Sequence, residues 1–412
     1  MAAFGAARFA ATAVLLALAA AACGPLHPSG AATTTSSQTQ STPASPAATK
    51  RQGPTLPTNS PGAESSGRRN EPCARAQAAQ PLAPSGASAR PLALVFLRGS
   101  QEYVVRDLTD IAHPLTVSTL AELDAPAFMS ASEISTRSYQ DENDLIRMPL
   151  SGFPQVTVAH GCRGMIAFAW SPDGTAAAYV TDLTDQPGSQ LHVIRAGQNQ
   201  VVTAMPSLPW GVDCGGDCAD HVDSRLLYSP DGSYISLVQN WGGPVLRIWT
   251  SDGRLLKSVD AGAVQGSKRP TMSVWSGKVL YYRDAAGVEA WRDGVQTLVL
   301  PSVAWIRPKA SPTGGAIVYE ARDSSGAPDV YLLDTASGSV RVIARSRSEP
   351  AFLTNRYIWW QGERPCVASD PYPCGSVFKS LPSGKTYIYD LQDGTETESV
   401  ITAVADVWPH AA

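Results

Sequence analysis

The stretch FAWSPDGTAAAYV, at Phe168–Val180, decides the fold because it recurs along the chain. LLYSPDGSYISLV follows at Leu226–Val238, and the looser KASPTGGAIVYEA lies at Lys309–Ala321. Each copy has Ser-Pro, then a glycine turn, then an alternating apolar run. Proline fixes φ, aspartate can bond its own backbone and glycine accepts a positive φ. The motif therefore predicts a tight turn between two antiparallel strands.

Residues 91–412 consist of short β-branched and aromatic runs separated by Gly, Pro, Asp and Asn turns, and no long stretch has a helical period. Four such runs succeed one another between Ile166 and Thr203. Four antiparallel strands that repeat along a chain form one blade of a propeller. Because one blade cannot bury both of its faces, blades must stack around an axis. The sequence therefore predicts an all-β propeller.

The number of blades follows from the first strand of each repeat. First strands are expected near six positions: Ala127, Ala167, Leu226, Met272, Ala304 and Ala351. The stretch Leu92–Leu120 has three strands without a first one, and Ala403–His410 is one strand with nothing after it. Joining the two gives a seventh blade, which closes the ring and removes exposed edges. We expect seven blades, with six as the alternative.

Three stretches carry a resemblance to a known family. They are FAWSPDGTAAAYVTD…LHVIRAGQNQVVT, LLYSPDGSYISLVQ…VLRIWTSDGRLLKSV and SPTGGAIVYEARDSSGAPDVYLLDTASGSVRVIA. These resemble TolB-type propeller repeats, a WD-repeat-like class, over about 100 residues. The resemblance implies a propeller and little about function, because similar repeats also form non-catalytic domains of dipeptidyl peptidases. TolB carries an additional N-terminal domain, whereas this chain has a low-complexity segment there.

The N-terminal segment predicts export. Residues 1–22 read as a signal peptide, since the apolar run after Arg8 is too short for an ordinary membrane span. Cys23 follows in LALAAAACG, which resembles a bacterial lipobox, with Ala20 where leucine is usual. We expect a lipid on Cys23 and anchoring to the outer face of the cytoplasmic membrane. The alternative is ordinary cleavage and a secreted soluble protein.

Residues 23–90 are nearly all Ala, Pro, Ser, Thr, Gly and Gln, so they predict a disordered tether that becomes ordered from about Cys73. Residues 91–412 form the propeller. Six cysteines remain after Cys23, an even number that favours disulfides in an oxidising compartment: Cys73, Cys162, Cys214, Cys218, Cys366 and Cys374. Proximity suggests Cys214–Cys218, Cys366–Cys374 and then Cys73–Cys162, and a zinc site is the alternative.

Charge excludes one class of partner. Residues 1–90 hold seven Lys or Arg and two Asp or Glu, out of 32 and 36 in the chain, which leaves 25 and 34 in the remainder. The propeller thus has a formal charge of −9, the opposite of the basic footprint that nucleic acid requires. No G-x-S-x-G or H-E-x-x-H motif occurs, and we predict neither a metal nor a cofactor. His192, inside a strand pattern, is expected to be structural.

Aromatic side chains at equivalent positions of the repeat are expected to pack between blades, with their polar tips paired: Trp170, Tyr228, Trp275 and Trp408. Candidate binding residues lie instead where the repeat is interrupted. Fourth-to-first and second-to-third connections share one face, and they contain the insertions Met205–Ser224 and Gln361–Gly384. The predicted binding set on this face is Trp210, Trp241, Asp182, Asp185, Asp213, Asp217 and Asp220. The alternative is that these tryptophans fold under their own loops.

We therefore expect a membrane-tethered, non-catalytic propeller that binds an envelope protein, peptide or glycan through its loop-rich face. The alternative is an extracytoplasmic hydrolase or lyase that acts on glycan or peptide in the channel, because inner-strand carboxylates can support such chemistry. Two carboxylates and a histidine at the channel mouth would favour the enzyme. A purely structural envelope protein is the third possibility.

Overall fold

The computed structural model describes residues 90–121, 123–137, 144–159, 165–182, 189–195, 198–205, 225–239, 245–260, 273–284, 286–301, 304–322, 326–367, 370 and 380–409. The chain divides into two units, Met1–Ser65 and Ser66–Ala412, and every described residue belongs to the second. In these ranges the chain forms strands and turns without a helix, so none of them contains a helix that could cross a membrane.

The strands form seven four-stranded antiparallel sheets, which confirms seven blades and rules out six. Blade 1 contains β28 (Ile401–Trp408), β1 (Leu92–Leu97), β2 (Tyr103–Asp107) and β3 (Leu115–Leu120). Blade 2 contains β4 (Asp124–Phe128), β5 (Glu133–Arg137), β6 (Leu145–Pro149) and β7 (Val156–Ala159). Blade 3 contains β8 (Met165–Trp170), β9 (Ala176–Asp182), β10 (Ser189–Arg195) and β11 (Gln198–Met205).

Blade 4 contains β12 (Arg225–Tyr228), β13 (Tyr234–Gln239), β14 (Val245–Thr250) and β15 (Leu255–Asp260). Blade 5 contains β16 (Ser273–Ser276), β17 (Val279–Arg283), β18 (Gly287–Arg292) and β19 (Val295–Pro301). Blade 6 contains β20 (Ile306–Ala310), β21 (Ala316–Arg322), β22 (Pro328–Asp334) and β23 (Val340–Arg345). Blade 7 contains β24 (Arg347–Phe352), β25 (Tyr357–Pro365), β26 (Ser380–Asp390) and β27 (Glu396–Ser399).

The C-terminal strand closes the ring as the sequence predicts. Strand β28 pairs antiparallel with β1, from Leu92 opposite Trp408 to Leu97 opposite Ile401. It thus supplies the first strand that the N-terminal blade lacks. The carboxylate of Asp406 also accepts a hydrogen bond from the backbone N–H of Phe128 in blade 2, at 2.7 Å. The end of the chain is therefore joined to both of the first two blades.

The hydrophobic core is divided among the interfaces between neighbouring blades. Seven apolar clusters each combine residues of two adjacent blades, and together they connect the whole ring. The cluster between blades 7 and 1, called here the closure seam, includes Val95, Ala351, Trp359 and Ile401. Trp359 is 2% exposed, and its indole N–H donates to the carbonyl of Ile401 at 2.9 Å. Burial between blades is thus what holds the ring closed.

The Ser-Pro-Asp-Gly motif is the turn between the first two strands of a blade. In blade 3 the Ser171 hydroxyl donates to Asp173 at 2.6 Å and accepts from the N–H of Ala176 at 2.9 Å. Gly174 has φ 67°, a left-handed value that glycine adopts without steric cost. Blade 4 repeats this geometry around Ser229 and Asp231. The repeat therefore encodes a hydrogen-bonded turn, and these turns all lie on one face, called here the turn face.

The aromatic residues at the ends of the first strands pack as predicted, but their polar tips do not all find partners. The indole N–H of Trp275 donates to Ser236 of the neighbouring blade at 2.9 Å. Among the described residues, Trp170 Nε1 and Tyr228 Oη are buried without a hydrogen-bond partner. The expectation is wrong for these two, because their rings pack against the apolar clusters on either side of blade 3.

Candidate functional site

The channel has two chemically different ends. The innermost strand of every blade runs from the face of the fourth-to-first and second-to-third connections, called here the loop face, to the turn face. Its first residues therefore lie near the loop face and its last residues near the turn face. Blade 7 brings a longer hairpin to the loop face than the other blades do.

That hairpin lies in the second predicted insertion. Strands β25 and β26 continue beyond the blade as a paired ribbon, with Glu363 opposite Pro382 and Pro365 opposite Ser380. Gln361–Gly384, interpreted from sequence as a loop, is therefore partly β-structure, because its ends remain in register with each other. Near the ribbon's described end, Asp370 accepts two hydrogen bonds from Arg364, and these lower its pKa to about 2.

Left-handed backbone marks the loop-face end of blades 6 and 7. The described chain has positive φ at four residues other than glycine, and three of them lie here: Arg307 at 49°, Ser346 at 52° and Glu349 at 54°. Arg307 and Glu349 occupy register shifts in the innermost strands β20 and β24, between Ile306 and Lys309 and between Ser348 and Ala351. Such backbone costs about 1–3 kcal/mol per residue, and strained residues of this kind cluster at functional sites.

The two bulges bring charged side chains of neighbouring blades together. Arg307 lies 3.3 Å from Glu320 of its own blade and 3.2 Å from Glu349 of blade 7. The backbone N–H of Glu349 also donates to Glu320, at 3.3 Å. The Glu320 side chain is 1% exposed, whereas Arg307 is 40% and Glu349 38% exposed. Glu320 is thus the buried support, and the other two groups face the solvent.

Blade 7 adds a second layer of polar contacts. The Gln361 amide donates to Glu349 at 2.8 Å, and the Ser348 hydroxyl donates to Glu363 at 2.5 Å. Arg307, Glu320, Glu349 and Glu363 are called here the acidic cluster. One guanidinium and three carboxylates give it a formal charge of −2. A site of this charge, partly exposed at a channel mouth, attracts cationic groups.

None of the predicted binding side chains is among those that the structure describes. Trp210, Trp241, Asp185, Asp213, Asp217 and Asp220 are outside the described residues, and Asp182 ends β9 with its side chain undescribed. Cys23, Cys73, Cys162, Cys214, Cys218 and Cys374 are also outside them. Cys366 follows β25 at the ribbon. The disulfide pairing and the loop-face binding set therefore stay predictions.

The acidic cluster has the acidic character that we expected of the loop face, but it is built from strand residues that sequence reasoning missed. The cluster as defined here contains three carboxylates and one arginine, and it contains no histidine. His192 instead lies inside blade 3, 3% exposed and stacked on Tyr179 at 4.6 Å. No group of three or more potential metal ligands occurs in the described ranges.

At the turn face the channel contains a cavity of about 440 Å³. Its lining comes from the last residues of the innermost strands of all seven blades, and it is mainly apolar. Lys309 of blade 6 and Asp406 of blade 1 are its charged residues among those described. This end of the channel is therefore mainly apolar with one charge of each sign, whereas the acidic cluster has a formal charge of −2.

Comparison with known proteins shows the architecture alone. No family model and no curated protein match the chain. Similar solved structures include TolB from Acinetobacter baumannii, at 14% identity and TM-score 0.42, over 78% of this chain and 66% of that one. They also include a puromycin-hydrolyzing peptidase from Mycobacterium tuberculosis, at 13% identity and TM-score 0.46, over 81% and 57%. TolB structures among the neighbours accord with the TolB-type propeller expected from the repeats.

A third similar structure is the acylaminoacyl peptidase of Pyrococcus horikoshii, at 12% identity and TM-score 0.42, over 68% of this chain and 45% of that one. The chain spans about two thirds of the TolB chain and about half of the two peptidases. The activities in those names therefore belong to those proteins. The function of this chain has to be argued from its own site.

Proposed function

We propose that this chain is an exported, membrane-tethered propeller that binds a protein, peptide or glycan partner at its loop face without catalysis. The observation that supports this proposal most is the acidic cluster. Two strained backbone positions hold Arg307 and Glu349 at the channel mouth, with Glu320 buried beneath them. The strained backbone at these positions destabilises the fold, and it holds the charged side chains at fixed places on the channel rim.

The charge of the cluster specifies the partner further. With three carboxylates around one guanidinium, the rim favours a cationic group, such as a basic peptide segment or an amino sugar. Its attraction would raise the association rate and weaken with salt. The ribbon of β25 and β26 rises from the same blade and supplies a wall beside the cluster.

A defined peptide pair tests this function. Full-length protein is titrated calorimetrically with hexalysine and with hexaglutamate, at low salt and again at roughly threefold higher salt. We expect hexalysine to bind, more weakly at the higher salt, and hexaglutamate not to bind. Glu349→Gln should weaken hexalysine binding roughly fivefold, in the range of exposed charge pairs. Equal binding of both peptides would contradict the proposal.

Glu398→Gln is the matched control. Glu398 lies on the outermost strand β27, where its side chain is 45% exposed and pairs with Lys385 at 3.2 Å. Its removal changes the net charge of the protein by the same amount as Glu349→Gln does. Equal loss from both variants would mean that overall charge, rather than the cluster, attracts the peptide.

The membrane tether is a separate part of the proposal and rests on Cys23 after the apolar N-terminal run. Wild type and Cys23→Ser are compared by detergent phase partitioning. We expect the wild type in the detergent phase and the variant in the aqueous phase. Aqueous partitioning of both would remove the lipid anchor and leave peptide binding unaffected.

A further inference from the structure

The most exposed large apolar side chain among the described residues is Phe153, at 76%. It lies in the turn between β6 and β7, the third and fourth strands of blade 2, and Pro154 and Gln155 after it are also exposed. The strands of a blade alternate in direction, so this turn lies on the same face as the turn between the first two strands. Phe153 therefore projects from the turn face.

The repeat does not require an aromatic residue at this place. The equivalent turns of blades 4, 5 and 6 are formed by residues 251–253, 293–294 and 335–338, which contain only Ser, Thr, Asp, Ala and Gly. These are ordinary turn residues, whereas Phe-Pro makes the tip of the blade 2 turn apolar. One exposed apolar residue needs no explanation by itself, so its position in the molecule decides what it can contact.

The base of this turn is fixed by contacts on two sides. The N–H of Leu150 donates to the carbonyl of Ser132 within blade 2, at 2.9 Å. The carbonyl of Leu150 accepts a hydrogen bond from the Ser118 hydroxyl of blade 1. Because its base is bonded to both blades, the turn presents Phe153 at a fixed place on the rim.

The segment that precedes the propeller joins it on this same face. Strand β1 is the second strand of blade 1, so it starts at the turn face, with Leu92. Just before it, the Arg90 guanidinium lies 2.5 Å from the carboxylate of Asp107. Asp107 is opposite Leu115, which is 68% exposed at the start of β3. The tether predicted to start at Cys23 thus enters beside an exposed apolar side chain of blade 1.

A lipid on the tether changes what a weak contact can do. An anchored propeller stays close to the bilayer, so the local concentration of lipid at its surface is high. A contact too weak to recruit a free protein then suffices to orient an anchored one. Phe and Leu are typical of protein surfaces that insert shallowly into the bilayer interface. Contact at the turn face also leaves the acidic cluster, at the other end of the channel, open to its partner.

We propose that the turn-face corner of blades 1 and 2, with Phe153 at its tip, rests on the lipid surface to which the chain is anchored. Leu115 is the second apolar contact of this corner. The inference rests on the membrane tether of the proposed function and adds an orientation to it, with the turn face toward the bilayer and the loop face away from it.

Brominated lipid tests this orientation, because bromine on the acyl chains quenches a tryptophan that enters the bilayer interface. Lipidated full-length protein is reconstituted in phosphatidylcholine vesicles with and without bromine. Phe153→Trp places a reporter at the tip, and Ala336→Trp places one at an exposed position in the equivalent turn of blade 6. The emission of each added tryptophan is the difference from the wild type. We expect brominated vesicles to lower it for Phe153→Trp and to leave it unchanged for Ala336→Trp.

The other outcomes separate this orientation from the tether. Equal quenching of both reporters would mean that the anchored propeller has no preferred face, and no quenching of either would mean that it stays off the bilayer. Emission from position 153 that shifts to shorter wavelength without quenching would mean that a second copy or another part of this chain covers the tip. Each of these results overturns the orientation and leaves the tether intact.

Flotation and folding complete the test. Wild-type protein that does not float with the vesicles would remove the tether of the proposed function, and the orientation with it. Thermal melting of the two variants confirms that the ring is folded, so that a difference between them reports position rather than stability.

Discussion

The two ends of the channel are made from the same seven strands and yet differ in backbone and chemistry. At the turn face the first strands of blades 3, 4 and 6 end in hydrogen-bonded Ser-Pro turns, with glycine at the left-handed position. At the loop face of blades 6 and 7, arginine, serine and glutamate take left-handed backbone without glycine's freedom. The turn face therefore follows local sequence rules, and the loop face breaks them around its charged groups. Departure from local preference of this kind is expected at functional sites, and it is the basis on which we propose the loop-face rim as one.

The largest expected effect concerns closure of the ring, on which both ends of the channel depend. Trp359→Ala should lower the free energy of unfolding by about 3–5 kcal/mol, since it leaves a cavity in the closure seam and removes the bond to Ile401. Urea denaturation measures this. Val400→Ala, at a neighbouring position that is 59% exposed, should change stability little. If Trp359→Ala were as stable as that control, the closure seam between blades 7 and 1 would not be what holds the ring closed.

The next prediction concerns the buried support of the acidic cluster. Glu320→Gln keeps the volume but removes the charge facing Arg307, and should cost about 1.5–3 kcal/mol of unfolding free energy, the range for hydrogen bonds to charged groups. A double-mutant cycle with Arg307→Gln isolates the pair. A coupling near zero would mean that the two residues are neighbours without being partners.

A smaller effect separates backbone strain from charge at Glu349. Glu349→Gly and Glu349→Gln both lose the carboxylate, but only glycine fits φ 54° without steric cost. The glycine variant should be more stable than the glutamine variant by about 1 kcal/mol. Both should bind hexalysine equally weakly. Equal stability of the two in chemical denaturation would show that this bulge stores no strain.

The smallest effect concerns the regular turns. Burial acts to raise the pKa of Asp173, but hydrogen bonds from Ser171 and Thr175 outweigh it and hold that pKa below its usual value. A lowered pKa in the folded state contributes stability above the ordinary pKa of the carboxyl, and this contribution is lost as pH falls. Asp173→Asn should therefore flatten the acid limb of the stability profile by about 1 kcal/mol or less. Identical acid limbs of the wild type and Asp173→Asn would contradict this role of Asp173.

How much the sequence predicts differs between the same two regions. Seven blades and their closure are predicted from three features of the sequence. These are the repeated Ser-Pro-Asp-Gly turns, the repeating set of four strands, and the separate strand near Ala403–His410. Each depends on residues close together in the chain, where proline, aspartate and glycine restrict the backbone directly. The sequence did not predict that strands continue into Gln361–Gly384. The composition of this stretch favours turns, but pairing between β25 and β26 overrides that local preference.

The acidic cluster had no signal of this kind. Arg307 and Glu349 belong to different repeats, and neither left-handed position is marked by a glycine in the sequence. Only stacking of blades 6 and 7 brings the arginine between Glu320 and Glu349. The turn-face cavity is likewise invisible in any one blade, because its walls come from seven. Local sequence determined which strands form and where they turn, since those choices depend on short-range backbone preferences. The tertiary structure decided which charges meet and what space remains, since both depend on contacts across the closed ring.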